Sequence, residues 1–350
     1  MIVYRKSAQL RVRRVSVPEP PFWGATIVTP YSPRRSAPVA IDYIDLRASS
    51  SDKLEVAVSE RTTDELERSS VRIAPPVLID AAEFAEAIFR RGEEVYRFCG
   101  AHGVPAIYLA STRGALPETT DAESTIVIAA WPFEFERLDA MFAEARGVWG
   151  VAVPVIFPVT TDLAALAEVA QSAKSHGASF LAAVPVAIDA TAKQAIAQSL
   201  SLDGDHETYA MLFHADLEPV QVATERHLAA LAAEAGIADF VVPPRWDEKS
   251  NWNASILLTL TATRMLAMEH EIGLAALLAR SARVVAELDK PLVRIAEAAS
   301  LSIVEALDEV SVDVLTEWLE RGRSPFVDRV NARWRLRRDV GPHAEPSPSS

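Results

Sequence analysis

The chain has one cysteine, few glycines and no long apolar run, and each scarcity excludes a class of protein. Cys99 alone cannot form an internal disulfide, an iron–sulfur cluster or a thiolate zinc site from this chain. The longest nearly unbroken apolar run, Gly147 to Val159, has 13 residues including two prolines, too few to cross a bilayer. The basic amino terminus is not followed by the apolar segment of a signal peptide. We therefore expect a cytoplasmic protein with no integral membrane span.

Positive charge is outweighed by negative charge, because 48 acidic residues stand against 35 lysines and arginines and the formal net charge is −13. Broad nucleic-acid binding needs a basic surface that neutralises phosphates, so we expect no nucleic-acid partner. The glycine-rich motifs G-x-G-x-x-G and G-x-x-x-x-G-K-[ST] are absent, which disfavours the common nucleotide-binding sheets. A serine hydrolase is disfavoured as well, since no G-x-S-x-G motif is present.

What the chain does contain is a regular alternation of apolar strand-like runs and amphipathic helical stretches between Val71 and Arg245. Continuously apolar strands are typical of a parallel sheet covered on both faces. The strands are predicted at 71–79, 104–111, 124–131, 148–158, 178–188, 208–214 and 237–242. Helices are predicted at 80–99, 133–146, 160–176, 189–202 and 218–235, and glycines end several of them.

This alternation predicts an α/β fold, and two closures of the sheet are compatible with right-handed crossovers. Seven strands, with an eighth available from the amino-terminal segment, favour a TIM-like (β/α) barrel over residues 71–248. The alternative is an open doubly wound parallel sheet. Residues 1–70 are predicted to be an irregular extension with short strands, at 39–46 and 54–59.

The carboxy-terminal part is predicted to be almost entirely helical. Apolar residues repeat at helical spacing from Ile256 to Asp289, and Pro291 is suited to open a further helix. We interpret residues 249–322 as a helical cap on the barrel, whose alanine-rich faces would also permit a homo-oligomer interface. Residues 323–350 begin with an arginine-rich segment and are predicted to form a basic, partly disordered tail.

The segment Pro154-Val-Ile-Phe-Pro-Val-Thr-Thr-Asp162, with its following helix and strand, resembles a late βα repeat of the radical-SAM barrels, notably the spore-photoproduct-lyase-like group. The defining C-x-x-x-C-x-x-C motif of that family is missing. The resemblance therefore implies a degenerate barrel that lacks the cluster and its chemistry.

Catalytic residues of such folds lie on the loops that follow the carboxyl ends of the strands. His214 and Asp216 end a predicted strand, and residues two apart in an extended segment point to the same side. An imidazole and a carboxylate placed in this way can hold a divalent metal ion or act as an oriented general base. The structural alternative is that Asp216 caps the next helix and His214 bonds within the loop.

Two arginines are the candidates for binding an anionic substrate, because guanidinium groups match carboxylates and phosphates in a two-pronged geometry. Arg113 lies in a long loop after a predicted strand, and Arg245 follows the last strand. Trp246 and Asp247 continue this polar and aromatic connector, so we include them among the candidate substrate-binding residues. The connector can equally serve as the hinge to the helical cap.

Two functions remain open from the sequence. The first is a barrel enzyme acting on a small anionic metabolite, as a lyase, isomerase or hydrolase assisted by a divalent metal. The second is a non-catalytic barrel that serves as a binding or scaffold protein. Four side chains converging on one pocket would favour the first function. A large exposed apolar patch on the helical region would favour the second.

Overall fold

The computed structural model describes Trp23 and residues 26–29, 43–45, 77–80, 86–101, 103–111, 115–118, 123–130, 138–155, 163–185 and 218–336. The strands of this part are β1 (Thr26–Thr29), β2 (Tyr43–Asp45), β3 (Val77–Asp80), β4 (Ala106–Ser111), β5 (Ser124–Ala129), β6 (Val148–Val155) and β7 (Phe180–Pro185). They form one sheet in the order β2-β1-β3-β4-β5-β6-β7, and every neighbouring pair is parallel.

The predicted α/β fold with a parallel sheet is confirmed, but closure into a barrel is not. The described strands form an open sheet, with β2 at one edge and β7 at the other. The backbone of Ala238 makes a single parallel bridge to Phe180 of β7, and no named strand continues from it. The predicted strand at 237–242 is therefore reduced to this one bridge, and Pro243 and Pro244 follow it.

The helices between and after these strands cover one face of the sheet. They are α1 (Glu86–Ala101), α2 (Leu138–Glu144), α3 (Leu163–Ser175) and α4 (Glu218–Ala235). Buried side chains from all four pack in one cluster with alternate strand residues such as Tyr108, Ile128 and Val151. Alternation along a strand sends the remaining residues to the opposite face, where Ile107, Val127 and others form a second cluster with Val241.

Helices α3 and α4 end in the same way, and each end determines where the chain goes next. Gly177 and Gly236 have positive φ angles of 88° and 69°, a conformation that glycine adopts without steric cost. After α3, the amide of Gly177 donates to the carbonyl of Lys174, and the amide of Ala178 donates to that of Ala173. This Schellman motif satisfies carbonyls that the helix leaves unpaired and turns the chain back toward β7.

The carboxy-terminal part contains five more helices and its own core. They are α5 (Asn251–Ala267), α6 (Ile272–Glu287), α7 (Leu292–Ala298), α8 (Glu309–Arg321) and α9 (Pro325–Arg335), with a 3₁₀ turn at Leu301–Ile303. Helix α9 lies inside the segment that we predicted to be a basic tail. Its buried Val327, Val330 and Trp334 explain the difference, because they recur at helical spacing and bury an apolar face among the arginines.

Helix α5 is buried on two sides and so connects the sheet with the helical core. One side, including Leu258 and Met265, packs with α6. The other side, including Trp252 and Ile256, packs around the fully buried ring of Trp23. The indole of Trp23 donates a hydrogen bond of 2.6 Å to the carbonyl of Val241, which ties this cluster to the second face of the sheet.

Gly150 is the point where the second face of the sheet is most tightly packed. It pairs in register with Phe180 of the neighbouring strand, whose side chain is fully buried. A β-carbon at position 150 would lie 2.5 Å from the ring and from the backbone oxygen of Phe180. Glycine is therefore required here by close contact, since its φ angle is not in the left-handed region.

We expect the substitution Gly150→Ala to lower the free energy of unfolding by about 1–3 kcal/mol, the usual cost of overpacking a core. The matched control is Gly273→Ala in the first turn of α6, where a β-carbon would meet no atom within 4 Å. That substitution should be neutral or stabilising, by up to about 1 kcal/mol, because alanine is the better helix former. Urea unfolding followed by tryptophan fluorescence measures both, and equal effects would contradict the steric explanation.

Candidate functional site

The carboxyl ends of the strands meet at one edge of the sheet, and their polarity is unevenly distributed. The last residues of β2, β1, β3, β4, β5, β6 and β7 are, in spatial order, Asp45, Thr29, Asp80, Ser111, Ala129, Val155 and Pro185. The four polar ends are thus neighbours, and the three apolar ends are neighbours. This edge has a polar half over β2-β1-β3-β4.

The register places three of these residues in one row across the sheet. Thr29 pairs with Asp45, and the pairing of Val28 with Ile79 puts Asp80 one step further, level with Thr29. Strands are spaced by about 4.8 Å, so the backbones of Asp45 and Asp80 lie about 10 Å apart. Two carboxylate residues and a hydroxyl residue therefore end three adjacent strands at the same level.

The strand order also reverses at this place. The chain runs from β1 to β2 on one side, and then crosses to β3 on the other side of β1. In open α/β sheets, ligands bind in the crevice outside the carboxyl ends at such a reversal. The polar half of the edge coincides with this reversal, between β1 and β3.

Three of the residues predicted from the sequence lie outside the described residues: Arg113, His214 and Asp216. Arg113 follows the end of β4 by two positions, and Asp216 precedes the start of α4 by two. Within the described part of the chain, no group of three or more histidine, cysteine, aspartate or glutamate residues is arranged to hold a metal ion. The predicted metal site at His214 and Asp216 stays a prediction.

The structure places Arg245 at the amino edge of the sheet, opposite the polar strand ends. Its guanidinium forms an ion pair with Glu123, the residue before β5. The backbone of Arg245 has a left-handed φ of 59°, and the side-chain amide of Asn253 donates a hydrogen bond of 2.6 Å to its carbonyl. The charge of Arg245 already has an anionic partner, so binding a further anion would require Glu123 to release it.

Trp246 and Asp247 lie in the same turn as Arg245 but differ in their surroundings. Trp246 packs edge-on against Phe240, with ring centroids 5.3 Å apart, beside the cluster around Trp23. Asp247 is exposed. The three residues are therefore close together in the chain but far from the polar strand ends, and their predicted substrate-binding role stays a prediction.

A buried ion-pair network was missed by sequence reasoning. The carboxylate of Asp239 accepts a bond of 2.8 Å from Arg264 of α5 and one of 3.3 Å from Arg335 of α9. The side chains of Asp239 and Arg264 are only 2% and 8% exposed. Arg264 also donates to Asn331. The one sequence signal was an arginine in the otherwise apolar and hydroxyl-rich helix α5.

The electrostatics of this network are dominated by burial. Desolvation lowers the pKa of Arg264, and the neighbouring charge of Arg335 lowers it further, whereas Asp239 raises it. The carboxylate of Asp239 is the ion-pair partner of both arginines. Asp239 and Arg264 are buried, whereas the side chain of Arg335 is 31% exposed.

Tyr108 of β4 is a second buried polar group. Burial raises the pKa of its phenol above the usual value, and electrostatic interactions with Glu93 and Tyr96 add to this effect. Its hydroxyl is buried without a hydrogen-bond partner among the described residues, while the hydroxyl of Tyr96 shares a hydrogen bond of 2.6 Å with that of Ser124. Tyr108 is thus held neutral in the core beneath the helices.

Asp308 is the amino-terminal cap of α8. Its carboxylate accepts hydrogen bonds of 3.0 Å from the amide of Ser311, 2.6 Å from the hydroxyl of Ser311 and 2.8 Å from the hydroxyl of Ser281. Partial burial raises the pKa of Asp308, but these hydrogen bonds outweigh it, and the net pKa is below the ordinary value of 3.8. The cap therefore links α8 to α6 through Ser281.

None of the described helices is long and apolar enough to cross a membrane. Comparisons with other proteins add no family to these observations: no family model, no curated protein and no solved structure matches this chain.

We expect Asp239→Asn to lower the free energy of unfolding by about 3–5 kcal/mol, because it leaves the buried charge of Arg264 without its counter-ion. The control is Arg294→Gln, which removes an exposed pair with Glu297 at 3.0 Å within α7. Exposed pairs of this kind contribute about 0.5 kcal/mol or less. Chemical unfolding at neutral pH measures both variants, and a loss for Asp239→Asn no larger than the control would contradict the assignment.

A pH dependence follows from Asp308. A carboxylate whose pKa is lowered by folding stabilises the folded state above its unfolded pKa of 3.8, and this stabilisation is lost as the pH falls through the lower folded value. Asp308→Asn should therefore be less stable than the native chain at pH 7, and the difference should shrink below pH 3.8. Urea unfolding across this range is the measurement. Asp313→Asn, at an exposed position of the same helix, should show no such trend.

Proposed function

We propose that this protein is an enzyme that acts on a small anionic metabolite in a crevice at the carboxyl edge of its sheet, between β1 and β3. The observation that carries the proposal is the reversal of strand order at this place. Ligand sites of open α/β sheets form at such reversals because the loops leaving the two strands diverge to opposite sides and leave a gap between them.

The distribution of polar strand ends supports the same location. Asp45, Thr29 and Asp80 end three adjacent strands in one row, whereas the far half of the edge is apolar. Carboxylates at strand ends can serve as general acids and bases, and carboxylate and hydroxyl oxygens are ligands that Mg²⁺ prefers. We assign the acid–base role to Asp80, which lies at the reversal itself.

The proposal also includes Arg113, His214 and Asp216, which were predicted from the sequence. Arg113 follows the last residue of β4, the neighbour of β3, by two positions in the chain; we assign it to the anionic group of the substrate. His214 and Asp216 are proposed to supply a metal ligand pair or a further base. The reaction class remains a lyase, isomerase or hydrolase reaction, since the chain has no glycine-rich dinucleotide motif.

The test is turnover of a small-molecule extract by the purified protein, followed by mass spectrometry of the anionic metabolites. We expect at least one metabolite to be consumed, and Asp80→Asn to slow its consumption by about 100-fold, the lower range for removing a general acid or base. The matched control is Asp313→Asn, which removes an exposed carboxylate of α8 and should leave the rate unchanged.

The metal content of the untagged protein and of His214→Ala is measured on the same preparations. If the native protein contains stoichiometric metal and His214→Ala does not, His214 is a metal ligand of the site. If both proteins contain the metal, His214 is not a ligand. A rate that falls in Asp247→Asn but not in Asp80→Asn would place the site at the amino edge and overturn the proposal.

A second candidate function, partner binding by the helical region, is favoured by exposed apolar side chains around the turn between α5 and α6. Leu266, Ile272 and Leu277 are 45%, 57% and 43% exposed within twelve residues of chain. Exposed apolar patches on helices are typical of interaction surfaces. Absence of any turnover, together with a molecular mass that rises with protein concentration, would favour this function and a homo-oligomer.

A further inference from the structure

The helical region contains a groove between the end of α6, helix α7 and the 3₁₀ turn. Its volume is about 620 Å³, which is within the range of small-molecule binding sites. The floor is apolar and consists of Val284, Leu288, Ile295, Ala298, Ile303 and Val304. None of these six side chains is fully buried, and Ile303 is 66% exposed. The groove therefore offers apolar surface that the fold itself does not cover.

Charged residues lie at the rim of this groove, and cations are in excess. Lys290 and Arg294 line it together with a single acidic residue, Glu305. Lys290 has no ion-pair partner among the described residues. Arg294 has only an exposed pair with Glu297 at 3.0 Å, a type of pair that contributes little and is easily exchanged. Among the residues that line the groove, cations thus outnumber anions by two to one, although the net charge of the chain is −13.

The wall that carries Leu288 and Lys290 is held in place by a buried amide. Asn251 of α5 is 2% exposed. Its side chain donates to the carbonyl of Lys290 at 2.9 Å and accepts from the amide of Leu292 at 2.7 Å. The link between α6 and α7 is thus fixed from inside, so the groove exists before a ligand enters. A pre-formed site lowers the entropy cost of binding.

We propose that this groove binds a single-chain anionic amphiphile, a lipophilic carboxylate of medium chain length. The alkyl chain would lie on the apolar floor, and the carboxylate would lie between Lys290 and Arg294. The match is one of polarity and charge, because six apolar and two cationic residues in the lining complement a molecule with one apolar chain and one anionic end. This site is independent of the crevice at the sheet and of any reaction there.

The probe is decanoate, titrated below its micelle concentration into the full-length protein in a calorimeter. We expect one binding site per chain and an affinity that falls by about fourfold for each methylene removed, as judged with octanoate. The neutral analogue 1-decanol should bind more weakly, because it lacks the charge that Lys290 and Arg294 recognise.

Two variants test the charged residues and the apolar surface of the groove separately. The double substitution Lys290→Met and Arg294→Met should weaken decanoate binding by about tenfold or more, as expected for the loss of charge-assisted hydrogen bonds, without weakening 1-decanol binding. Ala298→Trp should abolish binding of both probes by filling the groove. Its control is Ala276→Trp, at an exposed position of α6 that does not line the groove.

Thermal unfolding of each variant, compared with the native chain, shows that any loss of binding is not a loss of folding. The proposal is overturned if decanoate does not bind, or if Ala298→Trp and Ala276→Trp bind it equally. Co-sedimentation with phosphatidylglycerol vesicles without binding of free decanoate would assign the groove to a membrane surface, which would also overturn it.

Discussion

The buried contact between Asp239 and Arg264 is the interaction on which the relation of the two halves of the molecule depends. Asp239 follows α4 and the bridge to β7, and Arg264 lies near the end of α5. Arg335 brings α9 to the same carboxylate. A buried charge that loses its partner is costly, so the sheet and the helical core can separate only by exposing or neutralising these groups. The ion pair fixes how the sheet and the helical core are placed, and the apolar contacts around Trp23 and Trp252 stabilise this arrangement further.

The amino and carboxyl edges of the sheet differ in the contacts that they make. At the amino edge, the segment after α4 is tied down by the hydroxyl of Thr125, which donates to Val242 at 2.8 Å, and by the pair of Arg245 with Glu123. The amino edge is thereby used for joining the halves. The carboxyl edge contains the polar strand ends and the strand-order reversal, at the opposite end of the strands from these contacts.

In the helical core, helix α6 has a buried side that packs on α5 and an exposed side. Small residues such as Ala254, Ala275 and Ala282 let α5 and α6 approach closely, and the hydroxyl of Ser255 donates to the carbonyl of Ala282 at 2.7 Å. Apolar residues of α6 such as Ile272 and Leu277 are exposed, and residues at the end of α6 line the groove. The close packing of α5 on α6 thus leaves part of α6 exposed to solvent.

Much of the fold was determined by the sequence alone, because local patterns specify local elements. Apolar β-branched runs predicted β4, β5, β6 and β7, and amphipathic spacing with a terminal glycine predicted α4 at residues 218–235, where it is found. Strand order, the burial of Arg264 and the partner of Arg245 were decided only by the tertiary structure. They depend on contacts such as Arg245 with Glu123, which are 122 residues apart, and no periodicity in the sequence reports such a distance. For the same reason, the row of Asp45, Thr29 and Asp80 became visible only when three strands were placed side by side.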